Sequence, residues 1–124
     1  MNVVDSSGWV EYFNKGPNAR FFVSSIRDTL SLLVPAICLY EVFKKVYLQF
    51  GEETALQAMA VMTLGQVVEL DRDLAVDSAL VSTEMKLAMA DSIILATVRV
   101  YDATLWTQDE HFKDIPGVKF INKK

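Results

Sequence analysis

Asn2-Val3-Val4-Asp5-Ser6-Ser7-Gly8-Trp9-Val10-Glu11-Tyr12-Phe13 is a short apolar run ending on an acid, followed by small hydroxyl residues and then by Trp9, Val10 and Phe13 at helical spacing. The run reads as a buried strand that ends at Asp5, and the remainder as a first helix. A buried strand leading into a helix is the repeating unit of a parallel sheet, because parallel strands are joined by crossover connections. The alternation continues outward along the chain. The first helix stops near Gly16-Pro17, and Ala19, Phe22, Ile26 and Leu30 form the face of a second. Leu32-Leu33-Val34 is a second strand closed by Pro35, and Leu39, Val42, Phe43 and Val46 mark a helix that runs towards Phe50 and Gly51 and carries Glu41. Ala55, Ala58, Met59 and Met62 predict a helix ending at Gly65, with the two methionines in the core. Val67-Val68-Glu69-Leu70 reads as a third strand, and residues 71–84 as a helix capped by Asp71. Asp91, Ile94, Leu95, Val98 and Tyr101 mark another helix, Ala103-Thr104-Leu105-Trp106 a fourth strand, and Val118 to Ile121 a last one. The expected fold is a three-layer α/β/α domain over residues 1–124, built on a parallel sheet of about five strands.

Composition agrees with one folded unit. A hydrophobic fraction of 52% against 23% charged residues excludes a disordered or low-complexity chain. Pro35 and Glu41 interrupt the most apolar stretch, and Asp5 arrives too early for a secretory signal, so no membrane association and a cytoplasmic location are expected. Cys38 is the only cysteine and His111 the only histidine, which excludes an internal disulfide, the usual four-ligand zinc site and a ribonuclease working with two histidines. The net charge of −4 weighs against nonspecific nucleic-acid binding unless the acids converge on a cation.

Their placement therefore matters. In an open parallel sheet the ligand crevice lies beyond the carboxyl ends of the strands at the switch point of the topology. Asp5 ends the first strand and Asp109 follows the fourth, so the two converge if those strands are neighbours. Asp91 lies one turn before Ile94 and Leu95 on the apolar stripe of its helix. Like charges about 4 Å apart repel by roughly 4 kcal/mol at an effective dielectric of 20, so a cluster of such acids demands a cation or raised pKa values. Magnesium or manganese is the natural counterion. Each acid also has a purely local reading. Asp5 caps a helix alone or with Ser6 and Ser7, Asp91 favours a helix dipole, Glu41 pairs with Lys44 and Lys45, and Asp109 starts a short helix. His111 reads as a surface residue.

Asp5-Ser6 after a strand, a helical Glu41, Met89-Ala90-Asp91-Ser92-Ile93-Ile94-Leu95-Ala96-Thr97, and Trp106-Thr107-Gln108-Asp109 together resemble the PIN-domain family, most closely its VapC-type toxin ribonucleases. The resemblance covers nearly the whole chain except Gly51 to Met85, where no motif matches. It implies that Asp5, Glu41, Asp91 and Asp109 hold one or two Mg2+ (or Mn2+) ions, with Ser6 and Thr107 as supporting hydroxyls. It implies an endoribonuclease, the toxin of a toxin–antitoxin pair, that hydrolyses RNA with a metal-activated water. A homodimer is implied, as is a cognate antitoxin that lays an apolar segment over the groove and a basic side chain into the acids. Trp9, Tyr12, Phe13, Phe21, Phe22 and Tyr47 exceed what one small core is expected to absorb, which also points to an interface. Lys86 is a candidate phosphate contact, with Lys44, Lys45 and Arg99 as further basic residues.

Two other readings compete. A phospho-accepting receiver domain has similar length and a parallel sheet, with Asp71 as its only available acceptor; a catalytically idle PIN scaffold would bind protein alone.

Overall fold

The computed structural model describes residues 1–124. The strands are β1 (Asn2–Val4), β2 (Leu32–Pro35), β3 (Gln66–Val68), β4 (Thr104–Thr107) and β5 (Val118–Phe120). The helices are α1 (Ser6–Phe13), α2 (Ala19–Arg27), α3 (Ala36–Phe50), α4 (Glu52–Met62), α5 (Arg72–Met85) and α6 (Met89–Val100). All five strands are parallel, in the order β3-β2-β1-β4-β5. The β1→β2 and β2→β3 connections step one way across the sheet and the β3→β4 connection returns, so right-handed crossovers place α1–α4 on one face and α5–α6 on the other. The three-layer α/β/α expectation holds.

Burial explains the layers. β1 after Asn2 and all of β2 are apolar because both faces are covered, with Val3, Val4, Leu32, Leu33 and Val34 all buried. In α6 every residue from Ser92 to Val98 is buried, and Ser92 and Thr97 return their hydroxyls to the helix carbonyls of Ala88 and Ile93. Small side chains with internally satisfied hydroxyls let this helix pass through the core.

Several boundaries move from the sequence reading. β3 stops at Val68, leaving Glu69 and Leu70 exposed, because its partner β2 ends at Pro35, which pairs with Val68. β4 starts one residue later and takes in Thr107, which pairs with Phe120. Leu30 is not on a helical face. α2 ends at Arg27, Leu30 falls in the 3₁₀ turn Thr29–Ser31, and it is 93% exposed. The receiver alternative fails on topology: β3 is an edge strand, not a neighbour of β1, and Asp71 is engaged in capping α5 by accepting the Leu74 N–H at 2.8 Å. The aromatic surplus is also corrected. Trp9 and Phe22 are fully buried, Tyr12, Phe13 and Phe21 pack half-buried against the core, and only Tyr47 of the six is exposed. Trp9 stacks on Phe13 at 5.7 Å, and Phe21 meets Trp106 edge-on at 5.2 Å, so one small core absorbs them by ring packing.

Gly8 sets how closely α1 approaches the sheet. A Cβ there would lie 2.6 Å from Phe22 Cε1 and 2.7 Å from Val4 Cγ1. Gly8→Ala should lower unfolding free energy by about 1–3 kcal/mol through overpacking. Equilibrium denaturation checks this; an unchanged midpoint would mean that α1 and Phe22 shift at no cost.

Candidate active site

Strand order makes the site. The sheet's switch point lies between β1 and β4, whose carboxyl ends deliver Asp5 and the segment Thr107-Gln108-Asp109 side by side. α3 follows β2 and brings Glu41 from one side, and the N-terminal turn of α6 brings Asp91 from the other. These four acids line one open cleft of about 510 Å³, together with Ser6, Ser7, Gln108, Lys44, Lys45 and Lys123.

Asp5 is 2% exposed and fixed on both oxygens. Its Oδ1 accepts the Gly8 N–H at 2.9 Å, its Oδ2 accepts the Thr107 hydroxyl at 2.7 Å, and the Ser7 hydroxyl lies 2.9 Å from each oxygen. The capping reading holds for this residue and leaves room for the other: one oxygen caps α1 while the carboxylate stays at the cleft. Thr107, fully buried, links the two strand-end acids, since its Oγ1 also accepts the Asp109 N–H at 2.9 Å. Ser6 donates to Glu41 Oε1 at 2.7 Å, and no ion pair joins Glu41 to Lys44 or Lys45. The hydroxyls of Ser6 and Thr107 thus each orient an acid.

Asp91 is half-buried and, although it lies in the first turn of α6, its carboxylate turns to His111, whose Nδ1 lies 3.0 Å from Asp91 Oδ2 and 3.4 Å from Asp109 Oδ1. His111 is a surface residue, as expected from the sequence, yet it sits at the rim of the acid cluster. Lys123, which no sequence motif marks, also lines the cleft. Asn18, 2% exposed, donates from Nδ2 to Gln108 Oε1 at 3.0 Å and to the Asn122 carbonyl at 2.9 Å, which fastens the C-terminal segment so that Lys123 reaches the cleft. Lys86 does not line the cleft; it is exposed and ends α5 in the left-handed region at φ 55°. Arg99 lies eight residues along α6 from Asp91, about 12 Å at 1.5 Å per residue, and outside the cleft.

Burial, with the Asp109 charge adding to it, raises two of the acids, Asp5 and Asp91. Burial pushes Asp5 from 3.8 up to about 6, against the Thr107, Gly8 and Ser7 hydrogen bonds, and the Asp109 charge adds to it. Asp91 is raised by burial against the His111 hydrogen bond, with the Asp109 charge again adding. His111 is held above its ordinary value by the Asp91 hydrogen bond and then by the Asp109 and Asp91 charges. For Asp5 the folded chain favours the neutral form, so this stabilisation is present below about pH 4 and is lost as pH rises through 6, worth up to about 3 kcal/mol. Asp91 changes in the same direction. The His111 contribution is complete below 6.5 and is lost as pH rises through its raised folded value. The cation-free protein should therefore melt higher at pH 5 than at pH 8, and Asp5→Asn should flatten the slope. A midpoint that climbs over that interval in chelator would contradict these electrostatics.

A divalent cation fits this donor set. One ligand atom each from Asp91, Asp109 and His111 lie within 4.8 Å of one another, and the oxygen-rich remainder of the cleft suits a hard cation.

The sequence matches the PIN domain family over residues 3–118. The chain belongs to the PIN-domain family. Solved PIN structures share its fold. A toxin–antitoxin complex from Klebsiella pneumoniae superposes with a TM-score of 0.80 at 23% identity, covering 96% of both chains. VapC20 from Mycobacterium tuberculosis, described as a sarcin–ricin loop cleaving toxin, gives 0.77 at 19% identity over 95% of this chain and 97% of that one. FitAcB from Neisseria gonorrhoeae gives 0.74 at 21% identity over 98% and 97%. No curated protein matches the sequence. No helix of this PIN domain is long and apolar enough to cross a membrane.

Proposed function

We propose that this PIN domain is a divalent-metal-dependent endoribonuclease and the toxin of a toxin–antitoxin pair. The observation that carries the reading is the convergence of Asp5, Glu41, Asp91 and Asp109 on one cleft at the β1/β4 switch point. The relatives described as toxins, one of them as a sarcin–ricin loop cleaving toxin, support the choice of RNA. Asp5 and Asp91 are the most direct holders of Mg2+ or Mn2+, with Glu41 and Asp109 as further ligands or water-positioning carboxylates. Such a cation supplies a Lewis acid for the scissile phosphate and an acidified water. The chain's own residues do the rest. Thr107 and Ser6 hold Asp5 and Glu41 in place, and Asp91 is kept facing the cleft by His111. Lys44, Lys45 and Lys123 surround the acids with positive charge, where they attract an RNA backbone. No base-reading module is evident, so accessible single-stranded or loop RNA is the expected substrate.

The partners in this reading are a second copy of the chain and an antitoxin. Tyr40, Tyr47, Leu48 and Phe50 leave an apolar strip exposed on α3, and Tyr40 and Leu48 lie beside the acidic cleft, where an antitoxin's apolar segment and basic side chain would meet both surfaces. Sedimentation at micromolar protein should show a dimer, and a clean monomer would remove that part. The function itself is tested by incubating purified protein with total cellular RNA and Mg2+, and mapping the new ends. Discrete cuts that disappear in chelator are expected; intact RNA would leave the idle-scaffold alternative standing.

A further inference from the structure

We infer that His111 is a nitrogen ligand of the cation site, so that the site between Asp91 and Asp109 is an oxygen–nitrogen site that favours Mn2+ over Mg2+. The inference rests on the metal-dependent reading above and assigns a role to a side chain outside the four acids.

Three observations carry it. The first is distance: His111 Nδ1 stands 3.0 Å from Asp91 Oδ2 and 3.4 Å from Asp109 Oδ1. Neighbouring ligands of an octahedral ion bound at about 2.1 Å are about 3.0 Å apart, so both nitrogen–oxygen separations are close to that of neighbours in one coordination shell, and one ligand atom from each of the three residues lies within 4.8 Å of the others. The second is that the backbone presets the placement. Asp109 Oδ1 accepts the His111 backbone N–H at 2.9 Å and Asp109 N–H donates to Thr107, so one turn fixes the acid and the backbone that carries the imidazole. Phe112 anchors that turn in the core, fully buried, and leaves His111 facing the acids although its side chain is 68% exposed. The third is chemical. Imidazole nitrogen is a poorer partner for hard Mg2+ than for Mn2+, and suits later transition ions better still, so one such ligand among carboxylates shifts selectivity away from Mg2+. An ordinary ion pair between the imidazole and Asp91 is the competing account, and it predicts no contact with bound metal.

His111 is the only histidine in the chain, which makes the test unambiguous. Tag-free protein labelled with 15N-histidine would be loaded with Mn2+ and studied by pulsed electron paramagnetic resonance. A histidine nitrogen coupling to the bound ion is expected in the wild type and should vanish in His111→Gln. The variant should also bind Mn2+ on the order of tenfold more weakly, with a smaller change for Mg2+. Because His111 is exposed, this substitution leaves the core untouched. Bound Mn2+ without a histidine nitrogen coupling, together with equal Mn2+ affinity in the variant, would overturn the ligand assignment while preserving the metal-site reading. Absence of saturable Mn2+ binding to the wild type would overturn both.

Discussion

Asp91→Asn is expected to lower RNA cleavage by roughly two to three orders of magnitude, because in the proposed mechanism it removes one of the two most direct holders of the cation that stabilises the reacting phosphate. The fold should survive or gain stability. Asp91 is half-buried, Asp109 and Asp5 crowd the same cleft, and burial and the Asp109 charge raise Asp91 above its ordinary range. Removing one member of a like-charged group relieves repulsion in the cation-free protein. Melting and cleavage measured on one preparation separate the two effects. A variant that keeps full activity with Mg2+ would take Asp91 out of the site.

Thr107→Val should produce the second large effect, and on both stability and activity. The hydroxyl is buried, donates to the buried Asp5 Oδ2 and accepts from the part-buried Asp109 N–H, so valine leaves each group short of one hydrogen bond. A loss of about 1–3 kcal/mol in unfolding free energy follows. Asp5 should also titrate higher, since the Thr107 hydrogen bond is the largest influence holding it down against burial. As a positioning residue, Thr107 should lower kcat more than it raises KM, and Thr107→Ser should restore most of both. An unchanged Asp5 titration in Thr107→Val would show that the hydroxyl does not hold that carboxylate.

Much of this arrangement could be read from the chain. Continuous apolar runs such as Leu32-Leu33-Val34 identify strands covered on both faces, and the placement of Asp5 and Asp109 at one edge requires only that β1 and β4 be neighbours, which they are. Local and functional readings of Asp5 did not need to compete, because a carboxylate has two oxygens and can cap a helix with one. What stayed hidden depends on contacts distant in sequence. Lys123 reaches the cleft through the hydrogen bond between Asn18 and the Asn122 carbonyl, residues 104 apart, for which no local pattern exists. His111 faces the acids because Phe112 fixes a 3₁₀ turn in the core, and a lone histidine beside Glu110 gives no periodic signal. Leu30 shows the opposite failure. Its spacing from Phe22 and Ile26 suits a helix, but the backbone had already left α-helical geometry at Asp28.

The central claim is that the convergent acids form a binding site for a divalent cation. Thermal melting of the wild type and of Asp5→Asn across a titration of Mg2+ or Mn2+ tests it most directly, because a ligand that binds only the folded state stabilises it by mass action, about 2.7 kcal/mol at 100 times its Kd. The midpoint of the wild type should rise with cation concentration, while that of Asp5→Asn, higher at the outset near neutral pH, should rise far less. Equal increments in the two proteins would place the cation elsewhere and contradict the account.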